Sequence, residues 1–168
     1  MDFRDGDLAY RINFATASWP EIVDRRVGRD LSSDEAHALA DEVNRTLRLD
    51  GASFELRATI EHRGALVIRT DDGVALSSNV TNTDPAYERR GHLGVALETF
   101  EPIVATAVAL DESPGAERAA DLTNAFVEGS AHILVASEVN DRRREDGKLP
   151  CNLILTRDGG DHRPNLEP

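Results

Sequence analysis

The sequence predicts a mixed α+β fold, in which helices cover a mostly antiparallel or mixed sheet within a single domain. Three observations predict it. Short runs of alternating apolar and polar residues recur along the 168 residues, the period-two mark of strands with one buried face. Capped stretches carry apolar residues at helical spacing. Two alternating runs are separated only by a tight turn, as in a hairpin. Strictly repeating βα units and the glycine fingerprints of dinucleotide or phosphate-loop folds are absent from the sequence.

Leu8, Tyr10, Ile12 and Phe14 alternate with Ala9, Arg11 and Asn13, so Arg11 and Asn13 point together to the opposite face of a first strand. After the Trp19-Pro20 break, residues 21–25 read as a second short strand. Ser32-Ser33-Asp34-Glu35 is a capping box, and Ala36, Leu39, Ala40, Val43 and Leu47 follow at helical spacing, with Gly51 as the stop. Phe54, Leu56, Ala58 and Ile60 alternate with polar residues, and an apolar run resumes over residues 65–69; His62, Arg63 and Gly64 stand at the hairpin tip. Residues 71–94 have no sustained period and read as a long loop, while residues 103–110 should hold a further strand. Ser113-Pro114 starts a long helix reaching to about Ser137, residues 140–146 form a short basic helix ended by Gly147, and residues 151–156 are a last apolar strand. Residues 1–157 form the domain and residues 158–168, rich in Gly, Pro and Asp, a flexible tail.

Composition narrows the function. With 40% hydrophobic and 30% charged residues the chain should be globular, and a net charge of −12 repels nucleic acid and anionic membrane surfaces. No apolar run reaches the roughly 20 residues of a membrane span and the start lacks a signal-peptide layout, so a cytoplasmic protein is expected. The single cysteine, Cys151, excludes an internal disulfide framework and reads as a small core hydrophobe at the start of a strand.

The histidines His37, His62, His92, His132 and His162 form no close ligand pair, His37 and His132 read as partly buried helix residues, and no spacing joins His62 and His92 to Asp84. No metal site and no catalytic nucleophile is assigned, for no serine sits in a Gly-x-Ser-x-Gly elbow. What remains is arginine beside carboxylate at the ends of extended runs: Asp24-Arg25-Arg26 with Arg29, Glu61-His62-Arg63-Gly64, and Thr156-Arg157-Asp158-Gly159. Arginine's planar fork matches carboxylate and phosphate oxygens, so three such rims brought together make an anion pocket. Surface ion pairing, Arg25 with Asp24 for example, accounts for the same residues, and Lys148 is the only lysine among the 19 basic residues, so arginine is a habit of the whole chain.

The segments G-D-L-A-Y-R-I-N-F-A-T (residues 6–16), V-D-R-R-V-G-R (23–29), E-H-R-G (61–64), N-T-D-P (82–85) and V-N-D-R-R-R-E-D-G-K-L-P-C-N-L-I-L-T-R-D-G-G (139–160), in this order, resemble the inserted domain of archaeal-type cofactor-independent phosphoglycerate mutases of the alkaline phosphatase superfamily. The resemblance implies an enzyme of glycolysis that interconverts 2- and 3-phosphoglycerate through a phosphoserine. Two divalent metals, such as manganese, and the nucleophilic serine belong to flanking phosphatase-like segments outside these 168 residues. No cofactor is expected in this chain. Its part would be substrate handling by Asp24, Arg25, Arg26, His62, Arg63, Asp84 and Arg157, the arginines holding phosphate or carboxylate and Asp24 a glycerate hydroxyl. The chain departs from the pattern at Asn82, where the family has an acid, and at Asp158-Gly159-Gly160, where it has Gly-Ala-Gly. The expected partners are phosphoglycerate or a similar small anion and a catalytic phosphatase-like domain. A free-standing anion-binding or protein-interaction module with the same fold is the alternative. An inserted domain also requires the strands around Leu8 and Leu155 to be neighbours.

Overall fold

The structure is a computed structural model that describes residues 2–163. Its centre is β1 (Leu8–Ser18), whose alternating pattern buries Leu8, Tyr10, Ile12 and Phe14. A hairpin turn leads to β2 (Glu21–Asp24), which pairs with the far end of β1. β3 (Ala52–Ala58) and β4 (Arg63–Thr70) form the expected hairpin, and β4 pairs with β1 along residues 8–13. The last strand, β7 (Leu153–Gly160), pairs along the other edge of β1, matching Asn13 with Leu155. Every pairing in this five-stranded sheet is antiparallel. The neighbouring strands around Leu8 and Leu155 agree with the expectation, and the Gly6 amide donates to the Asp161 carbonyl at 3.1 Å.

Helices α1 (Ser33–Thr46) and α2 (Pro114–Val135) supply the apolar layer, and α3 (Glu138–Glu145) leads into the last strand. The capping box is present: the Glu35 amide donates to Ser32 Oγ and the Ser32 amide to Glu35 Oε2. Tyr10 and Thr123 of α2 share a hydroxyl hydrogen bond of 2.8 Å, which identifies the Tyr10 side of β1 as the helix-facing side. Phe126 of α2 meets Phe54 of β3 edge to face at 5.3 Å. Asn44 of α1 bonds both the amide and the carbonyl of Leu56, which occupies a polar pair on the outer edge of β3.

Four expectations are corrected. The stretch over residues 71–94 is not loop throughout, because β5 (Tyr87–Arg90) and β6 (Leu93–Ala96) make a small hairpin. Its strands are mostly exposed on both faces, so alternation never emerged. Residues 103–110 hold no named strand, only single bridges from Ile103 to Glu21 and from Ala109 to Val80. α1 ends at Thr46, before Gly51, whose left-handed φ of 65° instead serves the turn into β3. β7 continues through Asp158, Gly159 and Gly160, where a tail was expected; residues 164–168 of that tail lie outside the described residues.

Candidate functional site

Because cross-strand partners share a face, the side of the sheet away from α2 carries Arg11 beside Arg157 and Ala65, and Asn13 beside Arg63 and Leu155. The sequence signal for this face was the pair Arg11 and Asn13, polar positions alternating with a buried stripe. Three chain segments carry the predicted residues. Residues 82–84 run along the free edge of β7, where the Thr83 and Asp84 amides donate to the Thr156 carbonyl at 3.1 and 3.2 Å. That contact sets Asp84, 1% exposed, beside Arg157. The end of β2 and the link into a 3-10 turn at Val27–Arg29, which packs on β1, carry Asp24, Arg25 and Arg26. The tip of the β3–β4 hairpin carries His62 and Arg63, with the Phe14 amide donating to the His62 carbonyl at 2.8 Å.

Arg25 does not pair with Asp24, as the surface reading had it. Its Nε and Nη2 donate to the two Asp84 oxygens at 2.9 and 2.5 Å, and its guanidinium lies 5.4 Å from the Tyr87 ring centre and 5.8 Å from that of Phe100. Burial pushes the Arg25 guanidinium down, but the bond and charge of Asp84 outweigh it and hold it above its ordinary range. Asp84 is thereby an internal counter-ion that anchors Arg25. Arg157 stacks on the other ring contact of Tyr87 at 4.2 Å, with carboxylate oxygens of Asp84 and Asp158 at 3.9 and 3.7 Å, and its Nε makes no hydrogen bond. Arg26 lines an open hollow together with Asp24, Arg25, Gly28 and Arg29, and its amide donates to Asp24 Oδ1 at 2.7 Å.

His62 is 5% exposed and its Nδ1 has no hydrogen-bond partner, the nearest Glu61 oxygen standing at 4.0 Å. Burial first, then the positive charges of Arg63, Arg29 and Arg157, push its pKa below the ordinary histidine value against a weaker pull from Glu61. Gly64 follows because a Cβ there would lie 2.5 Å from the Arg57 carbonyl and 2.8 Å from Ile12 Cδ1.

The backbone marks the same place. Among the described residues, the non-glycine residues with left-handed φ are Val27 (52°), Arg29 (60°), Glu61 (53°) and Asp158 (55°). Each adjoins one of the three arginine-bearing turns. Such conformations are costly, most of all for β-branched valine, and persist where the surroundings impose them.

Both sequence departures have local accounts. Asn82 donates Nδ2 to the Tyr87 carbonyl at 3.1 Å and accepts the Asp158 amide on Oδ1 at 3.3 Å, a double role open to an amide and closed to a carboxylate. Asp158 packs so tightly on β6 that a Cβ at Gly94 would come within 1.9 Å of its Oδ1.

Tyr87 and Phe100, which sequence reasoning missed, sit in stretches without period. His37, His92 and His132 are exposed, the first and last against the expectation of partial burial. His92 lines a separate hollow with Arg11, Leu93, Gly94 and Asp158. Cys151 is fully buried, and burial pushes its thiol far up, as suits a core residue. Among the described residues, no three His, Cys, Asp or Glu side chains converge as a metal-binding group, and no helix is long and apolar enough to cross a membrane.

Residues 1–140 match the family model of 2,3-bisphosphoglycerate-independent phosphoglycerate mutase. The chain is 45% identical over 163 residues to the protein of that name from Aeropyrum pernix, covering 95% of this chain and 38% of that one. It is 37% identical over 160 residues to that from Thermoplasma acidophilum, covering 95% and 34%. The solved cofactor-independent phosphoglycerate mutase from Thermoplasma acidophilum superposes with a TM-score of 0.76 at 34% identity, over 96% of this chain and 39% of that chain. The chain therefore spans little more than a third of the length of the relatives it matches.

Proposed function

The chain belongs to the 2,3-bisphosphoglycerate-independent phosphoglycerate mutase family, and on that premise we propose that it is the substrate-handling portion of such an enzyme. In this reading the side of the sheet away from α2 holds 2- or 3-phosphoglycerate. Arg26, Arg63 and Arg157 grip the phosphate and carboxylate. Arg25 is fixed by Asp84, His62 closes the floor, and Asp24 shapes the turn that carries Arg25 and Arg26. The observation that supports the reading is that Asp84 joins Arg25 to Arg157, while Arg157 and Arg63 share one face of the sheet beside Arg11 and Asn13.

Phosphoryl transfer needs an aligned nucleophile and neutralisation of the transferring group. The described residues do not fit the divalent metals that the family uses, since no ligand cluster is present among them. Interconversion through a phosphoserine would then be supplied by a phosphatase-like partner domain, with this chain binding, orienting and screening the substrate. Work in glycolysis within the cytoplasm accords with that activity.

Calorimetric titration with 3-phosphoglycerate tests the reading. Binding in the millimolar range or tighter is expected, with no turnover by the chain alone in the presence of Mn²⁺. Arg63 is exposed and its replacement by Ala should leave the fold intact. That variant should bind about tenfold more weakly or worse, the worth of charge-assisted hydrogen bonds. Equal binding by the variant, or none by the parent chain, contradicts the reading; turnover by the chain alone contradicts the division of labour.

A further inference from the structure

The face of the sheet away from α2 contains a buried acceptor that the fold itself does not use. Asn13 is 4% exposed, yet its Oδ1 has no hydrogen-bond partner. Other asparagines of this chain behave differently. Asn44, Asn124 and Asn152 each bond one residue's or one strand's backbone through both ends of the amide, and Asn140 bonds the Cys151 amide, the Cys151 carbonyl and the Leu134 carbonyl. Leaving a buried amide oxygen without a donor is costly, so its retention calls for a partner from outside the fold.

Its surroundings define that partner. Asn13 pairs across the sheet with Arg63 and lies diagonal to Arg157, on the same face, and His62 adjoins the same stretch of β1 through the Phe14 amide. Arg157 Nε and His62 Nδ1 also lack hydrogen-bond partners. The group thus combines guanidinium donors, a ring nitrogen and one acceptor that only a donor can satisfy. Fully ionised phosphate and carboxylate groups accept and do not donate, so a bare anion leaves Asn13 Oδ1 unsatisfied.

We propose that Asn13 is a specificity-determining residue that reads a hydroxyl: its Oδ1 accepts from the alcohol of a phosphorylated hydroxy acid whose anionic ends rest on Arg63 and Arg157. The inference rests on the phosphoglycerate reading above and goes beyond it by naming the group that separates a hydroxy acid from the same acid without its hydroxyl. Asp24, to which the resemblance assigns that hydroxyl, already accepts the Arg26 amide on Oδ1.

The test is titration of the full chain with 3-phosphoglycerate and with 3-phosphopropionate, which lacks the hydroxyl. The parent chain should prefer the hydroxy acid by about fivefold to tenfold, the worth of one hydrogen bond. Asn13→Ala should reduce the preference to within about twofold while leaving 3-phosphopropionate binding unchanged. Asn13→Asp, which retains an acceptor, should keep a preference while weakening both ligands by its charge. Because Asn13 Oδ1 supports nothing else, a structural role would weaken both ligands equally and leave the ratio alone. Equal affinities in the parent chain, or a preference that survives Asn13→Ala and vanishes in Asp24→Asn, overturn the role of Asn13 only. Failure of both ligands to bind the parent chain overturns the phosphoglycerate reading as well.

Discussion

Arg143 and Arg157 are both arginines drawn into the body of the protein, and the fold treats them oppositely. Arg143, on α3, is 1% exposed and fully engaged: Nε donates to the Leu149 carbonyl at 2.8 Å, Nη1 to Glu35 at 2.8 Å and Nη2 to Asp30. Burial pushes its guanidinium down, and Asp30 and Glu35 more than restore it. Arg157, with a side chain 15% exposed, is stacked on Tyr87 yet has an Nε without a hydrogen bond and carboxylates only at 3.7 and 3.9 Å. A completed network closes a structure, whereas an incomplete one leaves donors without partners.

Breaking the closed member should have the largest effect on the fold. Arg143→Met leaves Asp30 and Glu35 without their shared partner and should cost roughly 2–3 kcal/mol, since both acids retain some solvent. Urea unfolding would show this as a lower midpoint, with affinity for 3-phosphoglycerate little changed in the folded fraction. Arg157→Met should invert the pattern, with stability within about 1 kcal/mol of the parent chain and affinity reduced about tenfold or more. If both variants lose stability alike, the distinction between the two arginines fails.

A third prediction concerns pH. The folded pKa of His62 is depressed, so the unfolded chain binds its proton more readily. Its contribution to stability is complete above the ordinary histidine value near 6.5 and is lost as pH falls toward the lower folded value. Unfolding midpoints should therefore decline more between pH 7.5 and 5.5 in the parent chain than in His62→Asn. Identical slopes would count against a buried, neutral imidazole. The smallest effect belongs to Ser32→Ala, which removes one half of the capping box and should cost about 1 kcal/mol. Glu35 serves both Ser32 and Arg143, so this change and Arg143→Met should combine non-additively in a double-mutant cycle.

The sheet was legible because the first half of β1, and β3 and β4, bury mainly one face, and such stretches write alternation into the sequence. Both capped helices were legible from Ser32 with Glu35 and from Ser113 with Pro114. The β5–β6 hairpin was not, for strands exposed on both sides carry no periodic constraint. The arginine turns were visible as local clusters, but the partner of Arg25 was not, because Asp84 is brought in by long-range pairing of residues 82–84 with the edge of β7. Asn13 was visible as a polar residue opposite a buried stripe; that its oxygen is buried without a donor depends on three strands and could be read only from the assembled face.

The contrast between the two arginines can be tested in a single NMR titration of the arginine Nε–H resonances with 3-phosphoglycerate. The Arg157 signal should move and saturate with the ligand while that of Arg143 stays in place. A moving Arg143 signal beside a stationary Arg157 would contradict it.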